Sequence, residues 1–190
     1  GGNGQVVDAA MVDGASILMT MFNAFKASGF WLDERESNAL DGAAHFYDTY
    51  ECADQKFLAV GSIEPQFYSV LLEKLEISDL KFQDQHNKEL WPELKSIMKD
   101  RIKEKTRDEW AKIFEGSDAC VAPVLSLSEA PDHHHMKARN SFVEVDGITQ
   151  PAPAPRFSNT TPNIKHSSVK AGENNDEICS KYNLDRSCFS

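Results

Sequence analysis

Ala59-Val60-Gly61-Ser62-Ile63-Glu64-Pro65-Gln66-Phe67-Tyr68 is the stretch on which the fold turns. Its first residues continue a run from Phe46 to Val60 in which aromatic and β-branched side chains flank Ala53-Asp54-Gln55. That pattern predicts a β-hairpin with arms at 46–52 and 56–61. Pro65 suits the first position of a helix, where no backbone N–H is needed, and Phe67, Tyr68, Leu71, Leu72 and Leu75 then recur at helical spacing as one buried face. Glu64 falls at the junction. It is a weaker N-cap type than Ser or Asp, yet a carboxylate is favoured there by the helix dipole. Its ordinary role is an exposed, dipole-complementing residue; its functional role would be to orient a catalytic histidine, for which a group kept charged suits better than a proton donor.

Downstream, a helix is expected from Pro92 to about Lys103 with Leu94, Ile97, Met98 and Ile102 inward. Thr106-x-x-Glu109 has capping-box spacing, so the next helix starts there and ends at Gly116. Residues 119–125 read as a buried strand, and 127–139 as a short or broken helix interrupted by Pro131. Asp146-Gly147 between two apolar runs is the strongest hairpin signal in the chain. Pro151 to Pro155 cannot form regular backbone ladders and reads as an extended strap. Residues 158–172 are loop-like, and Asp176 to Tyr182 a last helix.

Upstream of the hairpin, Gln5-Val6-Val7 suggests a short strand and Asp8 an N-cap. Met11, Ala15, Leu18, Phe22 and Phe25 mark one apolar helical stripe closed by Gly29. Residues 30–45 read as a connection between lobes rather than a packed element. Met11, Met19 and Met21 are either core filler or a pliable apolar surface suited to a lipid-like acyl group.

The 190 residues, 41% of them hydrophobic, allow one sizeable core or two small lobes. A net charge of −10 argues against a sequence-independent grip on nucleic acid or an anionic membrane. No apolar run reaches the length of a membrane span. Cys52, Cys120, Cys179 and Cys188 form no CxxC, so neither a zinc ribbon nor a disulfide framework is indicated. His133-His134-His135 are consecutive and point in different directions on a helix, so a solvated helix outweighs a metal site. The chain opens with Gly1-Gly2-Asn3-Gly4, which reads as the interior of a longer protein.

Residues 4–14, 40–43, 46–50, 59–68, 117–124 and 153–158 resemble, in that order, the alpha-methylacyl-CoA racemases, members of the formyl-CoA-transferase type of family III CoA-transferases. The resemblance implies an α/β fold, as the C-terminal part of interlocked dimers. Residues 1–41 would end the large CoA-binding domain, 42–145 form the smaller α+β lobe, and 146–190 be a strap and tail returning to the large domain. It implies racemisation of 2-methylacyl-CoA thioesters by α-proton removal and return, which requires two positioned acid/base groups and a stabilised enolate. No metal or redox cofactor is implied, CoA being part of the substrate.

By the same resemblance Glu64 supports a catalytic His, while that His and its partner Asp lie upstream of Gly1. Asp41, Gly42 and Tyr47 belong to an acyl-facing loop, joined by Met11 as a substrate-binding candidate. Ala43, His45 and Gln55 depart from the family pattern, where Gly, Pro and Gly are usual. Peroxisome or mitochondrion is the implied compartment, although Arg186-Ser187-Cys188-Phe189-Ser190 is not a Ser-Lys-Leu signal. A CoA-transferase with a carboxylate nucleophile upstream, and a truncated product with exposed apolar surface along Met11 to Phe25, are the competing expectations.

Overall fold

The computed structural model describes residues 3–189, with side chains described through residue 187. Two compact units divide the chain, Gly1–Val124 and Leu125–Ser190.

The expected hairpin organises the first unit. Strands β1 (Tyr47–Glu51) and β2 (Phe57–Gly61) pair antiparallel, and β3 (Val121–Pro123) pairs antiparallel with β2 on its other edge. Of the strand expected at 119–125, these three residues form the strand, and Cys120 and Val124 extend its backbone bonding to β2 at either end. Alternation along the strands separates the two faces of this sheet. Tyr50, Leu58 and Val60 turn inward and are buried, whereas Tyr47, Thr49, Ala59, Gly61 and Ala122 turn to the other side.

Helices α3 (Pro65–Leu75), α4 (Trp91–Ile102) and α5 (Arg107–Phe114) supply the rest of the core. Tyr68, Leu71 and Leu75 of α3, Leu94, Met98 and Ile102 of α4, and Trp110 and Phe114 of α5 are buried at the spacing the sequence predicts. The capping box is present in full: the Thr106 hydroxyl accepts from the Glu109 amide, and the Glu109 carboxylate accepts from the Thr106 amide at 2.8 Å. Buried Arg107 joins three elements. Its amide donates to Asp54 at the β1–β2 turn, and its guanidinium donates to the Val124 carbonyl and to Asp108.

Three sequence expectations fail upstream. Gln5-Val6-Val7 forms no strand and Val6 is 96% exposed, because no second strand among the described residues offers its backbone a ladder. Asp8 caps nothing: the helix starts at Met11 with Ala10 as N-cap and no side-chain cap bond. The single long helix is two, α1 (Met11–Leu18) and α2 (Thr20–Ala27), broken at Met19. Ser16 and Thr20 hydroxyls there donate to the carbonyls of Val12 and Ile17, competing with the helical ladder. Neither helix buries a residue, and Met11 is 90% exposed.

Residues 30–45 are also more than a connection. Asn38, Ala44 and His45 are buried, and the Asn38 side chain bonds both the amide and the carbonyl of Leu32. In the second unit, the broken helix appears as a 3-10 turn over Ala130–Asp132 and α6 (His134–Ala138). Strands β4 (Phe142–Val145) and β5 (Ile148–Pro151) pair across Asp146 and Gly147, both at positive φ, as a primed turn requires. Helix α7 spans Asn175–Tyr182.

Candidate active site

The outward face of the three-stranded sheet carries a concavity of about 460 Å³. Its position follows from side-chain size: Thr49, Ala59, Gly61 and Ala122 leave a low floor, and Tyr47 with the Leu40-Asp41-Gly42 loop forms a wall. Cys120 stands at the same concavity. Three of the sequence-derived candidates, Asp41, Gly42 and Tyr47, therefore share one surface. Met11 lies on α1, outside the residues that line it.

The loop wall is internally braced. The Asp41 carboxylate accepts from the amides of Ser37, Asn38 and Ala43 and from the Asn38 side chain at 2.7 Å. Although burial alone would raise its pKa, these donated bonds outweigh it and hold the carboxyl below its usual range. Asp41 thus shapes the wall, with its charge already engaged by its own loop. Gly42 sits at φ +93, a conformation that side chains rarely adopt, and its carbonyl accepts from Lys95, which also pairs with Asp48 at 2.5 Å.

Glu64 occupies the N-cap of α3 in an extended conformation, exposed and without a side-chain capping bond. It does not line the concavity, but its charge, with that of Asp118, lies close enough to Cys120 to add to the burial that raises that thiol's pKa. Gly61, three residues before Glu64, lines the concavity. Glu64→Gln is accordingly expected to speed alkylation of Cys120 near pH 8 by about two- to threefold, because thiolate is the reacting form. Site-resolved mass spectrometry measures this, and an unchanged rate would separate the two groups.

The peptide segment carrying Glu64 is fixed by bonds that sequence patterning does not show. The Gly61 amide donates to the Cys120 carbonyl, the Ser62 amide to Phe46, and the Ser62 hydroxyl to Ala119 at 2.5 Å. Buried Gln85 donates to the carbonyls of Ser62 and Ile63.

One turn into α3, the Tyr68 hydroxyl is bonded to His45 Nε2 at 2.7 Å, within a cage of Phe46, Tyr68 and Phe82 rings. His45 is fully buried and its Nδ1 has no hydrogen-bond partner among the described residues. Burial, with a smaller contribution from His86, lowers its pKa from 6.5 to about 4. The unfolded chain therefore binds a proton here that the folded chain refuses between those values, so stability falls as pH drops from 6.5 to about 4. The lowering corresponds to about 3 kcal/mol. Urea unfolding at pH 7 and pH 4 is expected to show the wild type losing 2–3 kcal/mol more than His45→Gln, roughly the linked amount. Parallel losses would place the imidazole elsewhere.

Among the described residues no group of three or more His, Cys, Asp or Glu side chains could hold a metal ion, and His133 and His134 stack at 4.4 Å instead of converging. No helix among the described residues is long and apolar enough to cross a membrane.

The model of CoA-transferase family III matches residues 1–175. Alpha-methylacyl-CoA racemase of Mus musculus is 42% identical over 185 residues, which are 95% of this chain and 48% of the mouse protein. The Homo sapiens racemase is 40% identical over 188 residues, covering 97% of this chain and 49% of the human one. The chain thus spans about half the length of these relatives. A CAIB/BAIF family protein of Brucella suis shares the fold, with a TM-score of 0.69 at 22% identity over 93% of this chain and 48% of that one. By the extent of the family match and the identity to these racemases, the chain belongs to CoA-transferase family III.

Proposed function

We propose that this chain is the C-terminal half of a racemase of 2-methylacyl-CoA thioesters, contributing Glu64 and an acyl-facing surface but not the proton-transfer pair. The observation that carries the reading is the Ile63-Glu64-Pro65-Gln66-Phe67-Tyr68 junction, set beside an apolar-floored concavity in a chain 42% identical to a racemase. Residues 1–41 then end the CoA-binding domain, 42–145 form the small lobe, and 146–190 return toward the large domain. The protein acts as a dimer in peroxisomes or mitochondria.

Inversion next to a thioester needs a base on one face of the α-carbon and an acid on the other, because the α-proton is weakly acidic. In this division of labour a His and an Asp upstream of Gly1 move the protons. Glu64, at the N-cap of α3, accepts the far N–H of that His and fixes its tautomer, as the carboxylate of a catalytic triad does. The shallow floor of Thr49, Ala59 and Ala122 takes the acyl chain against Tyr47.

A CoA-transferase of the same family would instead move CoA to an acceptor carboxylate. The two are separated by joining this chain through its N-terminus to the upstream half of the mouse racemase and supplying (R)-2-methylacyl-CoA together with a free carboxylic acid. Appearance of the S epimer on the original CoA supports the racemase. Transfer of CoA to the acid without epimerisation would overturn it.

A further inference from the structure

Nothing in the Glu64 side chain's own capping bonds fixes it, so its place depends on the backbone that carries it. That backbone is held from three sides. β3's approach holds Gly61 and Ser62 through Cys120 and Ala119, the start of β1 holds Ser62 through Phe46, and the third side is a single side chain, Gln85. Gln85 follows the 3-10 turn Leu80–Gln83, is 6% exposed, and reaches back across 23 and 22 residues. Its Nε2 donates to the Ser62 carbonyl at 3.1 Å and to the Ile63 carbonyl at 3.0 Å, the last two carbonyls before Glu64. Its own main chain is pinned, since the carbonyl of Gln85 accepts the Trp91 indole N–H at 2.8 Å.

A primary amide suits this task because it carries two donors on one nitrogen and can serve both carbonyls at once. Carbonyls left unpaired away from water cost free energy, so loss of the amide loosens the junction on this third side. A methionine of similar length would fill the space and leave both acceptors unserved.

We infer that Gln85 is a positioning residue for Glu64: its buried amide holds the two carbonyls that precede Glu64 and thereby sets where that carboxylate stands. The placement bears on catalysis only through the role proposed for Glu64 above, but it can be tested without turnover.

The test uses the 190-residue chain and its own Cys120 as reporter. Alkylation of Cys120 by iodoacetamide near pH 8 is followed in the wild type, Glu64→Gln, Gln85→Met and the double variant. In the Gln85-containing background Glu64→Gln should accelerate the reaction about two- to threefold, and in the Gln85→Met background that factor should shrink to about one. A purely structural glutamine would lower the melting temperature and leave the factor unchanged; that result, or no acceleration in either background, would overturn the proposal. Should Gln85→Met fail to fold, exchange of the Gln85 side-chain amide protons in the wild type decides. Exchange at least about tenfold slower than for exposed Gln5 and Gln66 supports the two bonds, and equal exchange overturns them. Because no step depends on racemisation, loss of the racemase reading would leave this result standing, and the reverse holds equally.

Discussion

Glu64→Gln is expected to slow α-proton exchange of a 2-methylacyl-CoA, in the chain joined to the upstream half, by roughly two to four orders of magnitude. Glutamine keeps the shape of the side chain but removes its charge, and its amide nitrogen presents a donor where the partner imidazole also has one. The imidazole then favours the wrong tautomer and loses the carboxylate that stabilises its charged form. The damage falls on kcat with little change in KM, since a group that supports proton transfer makes its contribution in the transition state. Stability should change by less than about 0.5 kcal/mol, because Glu64 is exposed and makes no side-chain cap bond. Steady-state exchange kinetics check this. A rise in KM at constant kcat would make Glu64 a substrate contact, and no effect on either would remove it from the mechanism.

Trp110→Ala is expected to cost the first unit about 4 kcal/mol. The indole is fully buried, its N–H donates to the Ile102 carbonyl at 2.7 Å, and Phe114 lies 6.0 Å away between ring centres. Truncation removes a large apolar volume and leaves a cavity. It also removes the indole's bond to the Ile102 carbonyl at the end of α4, which then keeps only the long 3.5 Å bond from the Lys105 amide. That loss is comparable to the whole stability of many domains. The effect reaches the site through α5: Arg107, one turn before Trp110, ties the β1–β2 turn to the end of β3, and β3 provides Ala122 of the floor. Urea unfolding followed by fluorescence of Trp31 and Trp91 gives the free energy, and a loss below about 1 kcal/mol would contradict a core centred on Trp110.

What the sequence makes legible is local. The β1–β2 hairpin, Pro65 opening α3, the Thr106–Glu109 box and the Asp146-Gly147 turn each follow from residues within a few positions of one another, and each forms. The departures have equally physical causes. Val6 and Val7 have the composition of a strand, but a strand needs a partner, and none pairs with them among the described residues. The stripe from Met11 has helical period, yet neither half of it is buried, and around Met19 hydroxyl groups compete for the carbonyls.

The candidate site divides the same way. Gly42 and Tyr47 meet at the concavity because strand alternation and a positive-φ glycine put them there. Asp41 reaches it as a braced wall, a role set by amide positions that only the folded loop displays. His45 and Gln85 act through partners 23 and 22–23 residues distant, His45 on Tyr68 and Gln85 on Ser62 and Ile63. No periodicity records a bond of that separation, so a histidine in place of a usual proline was the only mark on the first, and nothing marked the second.

In the proposed division of labour this chain holds the orienting carboxylate while the proton-transfer groups lie in another half. Incorporation of deuterium at the α-carbon of a 2-methylacyl-CoA in heavy water, compared for the 190-residue chain and for the same chain joined to the mouse upstream half, tests it most directly. No incorporation by the chain alone, and incorporation by the joined protein, is the expected result. Incorporation by the chain alone would mean that its own residues move the proton and that the division of labour is wrong.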